Sequence, residues 1–238
     1  MTATALRTRP PARYRRIGDG EHSEVFRRPG SAYCLQLFRP DCPELTVDKI
    51  RAEYAYLRAA YAAMPTLVPG QRLFADSPGD HVSRTVLVKQ WVDVDPAAAL
   101  NRVRRADLPP HSAAQLDQFV TITRALVASA AEQETFWPDI IDDRFQNLAL
   151  DTGGNLRLLD TNRLISTRAL RALGPGQTLD RVRRPIHARF LRRLMYLDAA
   201  FCGRGSDQLA ADPLYRRYLH PDDLGALLRD SRAAGEPP

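Results

Sequence analysis

The sequence predicts a mixed α+β fold in two lobes, a small strand-rich one and then a larger helical one. Before about residue 95, short apolar runs are bounded by Gly, Pro and Asp, which is the pattern of strands and turns. Beyond it, apolar residues recur at spacings of three and four over longer stretches, the signature of amphipathic helices. The 238 residues, 44% hydrophobic and 26% charged, are enough for one large domain or two small lobes, and too apolar for a disordered chain.

In order along the chain, residues 1–13 are rich in Thr, Pro and Arg and are expected to form a flexible leader. Strands are expected at 14–17, 24–26, 32–38 and 85–92. One helix interrupts them: in 47–61, Ile50, Tyr54, Leu57 and Tyr61 make a single apolar stripe. In the second part, 112–132 sets Leu116, Phe119, Val120, Leu126 and Val127 on one helical face, with Ser112 as its N-cap. Strands at 148–150 and 156–159 flank Asp151-Thr-Gly-Gly154, a turn that closes a hairpin. Helices are expected at 181–201, with Pro185 in the first turn, and at 221–229, followed by a frayed tail at 231–238.

No apolar run approaches the ~20 residues of a membrane-spanning helix. The first residues lack the apolar stretch of a secretory signal, so a cytoplasmic location is the expectation. Cys34, Cys42 and Cys202 are odd in number and lack metal-ligand spacing, which favours small buried hydrophobes over a disulfide framework or zinc site. The net charge is +6, and Lys49 and Lys89 are the only lysines; all other basic residues are arginine. Arginine suits planar, bidentate contacts with phosphate or carboxylate. The cluster Arg181, Arg183, Arg184, Arg189, Arg192 and Arg193 reads as a solvated helix face that partly balances Asp180 and Asp198, or as a surface for an anionic substrate.

Two segments carry chemistry. In Gly18-Asp-Gly20-Glu-His-Ser23-Glu-Val25, the glycines would let a hairpin backbone approach phosphates, Ser23 could donate to a phosphate oxygen and Val25 could cover a flat base. His22 could touch phosphate as well. The second segment runs from Asp142 through Asn147 to Asp160. Asp142 and Asn147 lie five apart in a loop feeding the hairpin, and Asp160 follows its second strand. Such spacing can bring a carboxylate base, an amide oxygen and a second carboxylate to one pocket, and hard oxygen ligands of this kind suit Mg²⁺.

Together these segments resemble the protein-kinase-like superfamily. Gly18, Gly20, Ser23 and Val25 match the phosphate-covering hairpin, Asp142 and Asn147 the catalytic D-x-x-x-x-N, and Asp160 the metal-binding aspartate. Glu53 falls where the family's helix glutamate would be. The resemblance implies a two-lobed protein-kinase-like fold, with residues 14–95 as N-lobe and 96–230 as C-lobe. It implies ATP between the lobes near Lys89, Gln90 and Trp91, Mg²⁺ held by Asn147 and Asp160, and Asp142 orienting or deprotonating an acceptor hydroxyl. Arg144 would lend charge toward the γ-phosphate.

Departures from the family pattern bear on activity. Gln36 stands where the ATP-positioning strand lysine should be, and an inward-pointing Lys89 could substitute by pairing with Glu53. Ile140 and Ile141 replace the usual histidine and arginine, and Thr161-Asn162 follows the metal aspartate in place of Phe-Gly. The chain looks more like compact bacterial kinase-like proteins: lipopolysaccharide-core kinases, small-molecule phosphotransferases or proteins of the PhoP regulatory network. The expected function is an atypical Mg-ATP phosphotransferase acting on an unidentified hydroxyl acceptor, an anion among the candidates. The alternative is a pseudokinase serving as a nucleotide-binding or scaffold module. Nucleic acid is the weakest of the partner classes considered.

Overall fold

The computed structural model describes residues 12–20, 22–40, 45–75, 82, 85–142, 144–173, 177–179, 185–220 and 224. Strands β1 (Arg15–Asp19), β2 (Ser23–Arg27) and β3 (Tyr33–Phe38) form an antiparallel meander. Helix α1 (Val47–Ala60) follows, then β4 (Gln71–Phe74) and β5 (Val86–Gln90), completing a five-stranded antiparallel sheet in the order β1-β2-β3-β5-β4.

Helix α1 starts where the Thr46 hydroxyl accepts the Lys49 N–H at 3.2 Å, a cap worth about 1 kcal/mol. Its apolar stripe serves two cores. Ile50 packs with Phe38, Leu45, Val82 and Leu87 beneath the sheet, whereas Leu57 and Tyr61 enter the large core of the helical part. Each fully buried leucine of this kind contributes roughly 2 kcal/mol.

The helical part contains α2 (Pro110–Ser129), strand β6 (Phe136–Trp137), the hairpin of β7 (Leu148–Leu150) and β8 (Leu156–Leu158), strand β9 (Ile165–Ser166) paired with β6, and helices α3 (Pro185–Phe201), α4 (Ser206–Ala211) and α5 (Pro213–Tyr218). The fold is therefore the expected mixed α+β one, an antiparallel sheet followed by a helical part. A buried network clamps the helices: Arg124 of α2 donates to Asp198 of α3 at 2.7 Å and to Asp212, the N-cap of α5, at 2.6 Å. Arg204 reaches the same two carboxylates, and the Tyr215 hydroxyl donates to Asp198 at 3.1 Å.

Several expectations change. Strand β4 has no counterpart in the sequence reading. It is a four-residue edge strand whose Phe74 stays 48% exposed, so its pairing with β5 specifies it more than its own pattern does. Ser112 is not an N-cap: α2 begins at Pro110, and the buried Ser112 hydroxyl donates to the Gly154 carbonyl at 2.5 Å. Asp198 is balanced by Arg124 and Arg204, which lie outside its own helix. Pro185 opens α3. Residues 1–11, Cys42, Arg181, Arg183, Arg184, the tail and all of the 221–229 helix except Leu224 lie outside the described residues. Among the described residues, no helix is long and apolar enough to cross a membrane.

Candidate functional site

A cleft of about 310 Å³ opens between the sheet and the hairpin of the helical part. Strand alternation builds its upper wall. Cys34 and Gln36 point to the same side of β3, Val25 lies opposite Gln36 on β2, and Lys89 lies opposite Cys34 on β5. Gln90 and Trp91 continue the wall into the connection, where Gln90 N–H donates to the Gly70 carbonyl at 2.7 Å and Trp91 N–H to the Ala32 carbonyl at 2.8 Å. The Arg27 guanidinium covers the Trp91 ring at 4.1 Å. Asn147, Leu159 and Asp160 form the opposite wall.

Lys89 is buried, and its ammonium donates to the Leu159 carbonyl at 2.7 Å, next to Asp160. Burial lowers its pKa from the ordinary lysine value, while the negative charge of Asp160 works the other way. The expected Lys89–Glu53 pair does not form. Glu53 meets Lys49 at 3.9 Å, one helical turn before it on α1, and its carboxyl is pushed up to about 7, chiefly by burial. The reason is geometric: β5 presents Lys89 to the segment entering Asp160, and the carbonyl of Leu159 takes the ammonium.

Gln36 is hydrogen-bonded at both ends of its amide. Its Nε2 donates to Ser23 Oγ at 2.8 Å, and its Oε1 accepts from Asn162 Nδ2 at 3.2 Å. One amide thus ties the β1–β2 hairpin to the turn after Asp160, where Asp160 Oδ1 accepts the Asn162 N–H at 3.0 Å.

The loop from Asp142 to Asn147 is shaped by its own backbone. The Asp142 carboxylate accepts the N–H groups of Arg144 and Gln146, each at 2.9 Å. Phe145 takes a left-handed φ of 53°, costly for a bulky residue, and is held there by burial and by stacking on Tyr196 of α3 at 5.6 Å. The Asn147 carbonyl accepts the Leu159 N–H at 2.7 Å, which sets Asn147 beside Asp160. Ile140 is fully buried in the large core, where it packs as an ordinary hydrophobe.

Val25, Gln36, Lys89, Gln90, Trp91, Asn147 and Asp160 therefore line one cleft. Gly18, Gly20, Ser23, Glu53, Asp142 and Arg144 are not part of that lining. Ser23 touches it through Gln36, Glu53 is buried on α1, Asp142 is half-buried and Arg144 is exposed. Neither Gly18 nor Gly20 has a positive φ, and a Cβ on either would meet only ordinary contacts, at 3.6 Å and 3.5 Å. The chain's own packing does not require glycine there.

Sequence reasoning missed Asp139 and gave Asn162 and Arg193 no place near Asp142 or Asp160. Asp139 has a raised pKa, from burial first and then from Asp160 and Asp142 nearby; its position three residues before Asp142 was a visible signal. Asn162 was noted only as a departure from the family pattern. Arg193 of α3 lies within electrostatic reach of Asp142, a neighbour that only helix docking reveals.

Among the described residues, no three His, Cys, Asp or Glu side chains gather closely enough to hold a metal ion. On the wall opposite the sheet, the cleft is lined by one carboxylate, Asp160, and one amide, Asn147. That set fits an ion such as Mg²⁺, which completes its octahedron with phosphate oxygens and water.

No family model and no curated protein matches the chain. It is similar to the kinase domain of Mycobacterium tuberculosis PknI, with 15% identity over 94% of this chain and 96% of that one, at a TM-score of 0.37. It is also similar to WbdD, with 14% identity over 90% of this chain, at a TM-score of 0.35. The chain spans 44% of the length of WbdD. At these values the chemistry of the site stands on its own geometry.

Proposed function

We propose that the protein is an atypical phosphotransferase that uses Mg-ATP to phosphorylate a hydroxyl group. The observation that supports this most is the gathering of Lys89, Asn147 and Asp160 in one cleft beneath Val25 and Gln36. Val25, Val92 and Leu159 would sandwich the base, with Trp91 at the connection.

 Asn147 and Asp160 would hold Mg²⁺, which when bound offsets the charge of the phosphates. The Lys89 ammonium would supply the fixed positive charge that Gln36 lacks, and its bond to Leu159 would steady Asp160. Asp142 would orient the acceptor hydroxyl and take its proton as the acceptor oxygen–phosphorus bond forms and the bond from the γ-phosphorus to the β,γ-bridging oxygen breaks, releasing ADP.

A second reading, a nucleotide-binding module without turnover, is favoured by one observation: the neutral Gln36 is already engaged on both sides, by Ser23 and by Asn162.

A thermal-shift titration with ATP, with and without Mg²⁺, tests the proposal on wild type, Asp160→Asn and Lys89→Met. Wild type should show a Mg-dependent shift that Asp160→Asn abolishes. Lys89→Met should weaken the midpoint by about 10-fold or more, since a hydrogen bond to a charged group is worth ~1.5–3 kcal/mol. No shift in wild type would sink both readings, and transfer of labelled phosphate to water or an added alcohol separates enzyme from module.

A further inference from the structure

The run from Leu158 to Asn162, which carries Asp160, is tied to the first part of the chain almost residue by residue. Leu158 N–H donates to the Leu67 carbonyl at 2.8 Å, and the Leu159 carbonyl accepts the Lys89 ammonium of β5 at 2.7 Å. The Thr161 hydroxyl donates to Gln71 Oε1 of β4 at 2.6 Å, and Asn162 Nδ2 donates to Gln36 Oε1 of β3 at 3.2 Å. Because β3, β5 and β4 are neighbours in the sheet, three adjacent strands each hold one residue of the run. Thr161 and Asn162 are buried, so water has little access to compete for these bonds.

Asp160 lines the cleft, and its Oδ1 accepts the Asn162 N–H at 3.0 Å. The residue that orients the carboxylate is therefore the residue whose side chain Gln36 holds. Ser23 decides which end of the Gln36 amide does so: Nε2 donates to Ser23 Oγ at 2.8 Å, which turns Oε1 toward Asn162. A lysine at position 36 would carry donors only; it could bond Ser23 but could not accept the Asn162 amide.

We propose that Gln36 is a positioning residue, which acts through Asn162 to hold the Asp160 carboxylate in the orientation that receives Mg²⁺ with ATP. The proposal deepens the phosphotransfer reading and rests on it for the role of Asp160. The link from Gln36 through Asn162 to Asp160 does not require nucleotide.

Hydrogen–deuterium exchange of the full chain without nucleotide tests the link. Gln36→Met, close in size to glutamine, should speed exchange of the amides of residues 159–164 by about 5-fold or more, while those of α2 keep the wild-type rate. Gln36→Lys should do the same, although it restores a charge. In an Asn162→Ala background, Gln36→Met should add nothing further in that segment. Unchanged exchange in Gln36→Met, or an equal increase with and without Asn162, would overturn the proposal whether or not the chain binds nucleotide. In ATP titrations, Gln36→Met should weaken the midpoint about 10-fold with Mg²⁺ and less than about 2-fold without it. Equal weakening in both would mean general loosening and would also overturn it. A wild type without a Mg-dependent shift would sink the phosphotransfer reading and with it the role of Asp160, while faster exchange that depends on Asn162 would still support the link.

Discussion

Glu53 shows how burial alters a residue: desolvation outweighs the nearby charge of Lys49, and the carboxyl rises from 4.5 to about 7. A carboxyl whose folded pKa lies above its unfolded one contributes stability that is present below the unfolded value and lost as pH rises through the folded one. The relevant window is therefore between about pH 4.5 and 7. Glu53→Gln should match wild type in stability near pH 5. Near pH 8 it should exceed wild type, by an amount on the order of 3 kcal/mol. Thermal or urea denaturation at the two pH values measures this, and a variant no more stable than wild type at pH 8 would contradict it.

At the scale of elements, the helices are held by charge as well as by apolar contact. Asp198 is 1% exposed and receives Arg124, Arg204 and Tyr215, while Asp212 receives both arginines and caps α5. Removing one member strands its partners in a region of low dielectric. Asp198→Ala is therefore expected to cost about 3–5 kcal/mol in urea unfolding. A loss below about 1 kcal/mol would mean that the network behaves like a solvated surface pair. The same element scale explains the misplaced helix start. Ser112 has the chemistry of a cap, but the β7–β8 turn draws its hydroxyl to Gly154, and Pro110 opens the helix instead.

For the whole molecule, the change in sequence pattern near residue 95 does not mark a break in the core. Leu57, Tyr61, Met64, Leu67 and Val68 belong to the large cluster that fills the helical part. Backbone bonds cross as well: Leu158 N–H donates to Leu67 at 2.8 Å, and Asp95 N–H to Leu150 at 3.0 Å. The full chain is therefore expected to unfold in one transition. Variants that keep only Trp91 or only Trp137 as fluorophore should give coincident curves. Residues 12–95 expressed alone should lack a cooperative transition, because the lower half of α1 would lose its partners.

The α+β pattern, the first three strands, the stripe of α1 and the placing of Asn147 and Asp160 on either side of one hairpin were legible because each depends on local spacing along the chain. Strand β4, the neighbours of Asp198 and the approach of Arg193 to Asp142 were not, because each is set by an element distant in sequence. Lys89 lies on both sides of that divide. Its place in a strand could be read from the apolar residues around it. That its ammonium meets the Leu159 carbonyl beside Asp160, leaving Glu53 to Lys49, was decided by the register of β5 on β3 and by the packing of the hairpin beneath the sheet. Local periodicity determines which way a side chain points from its own element; only the folded chain determines what it meets.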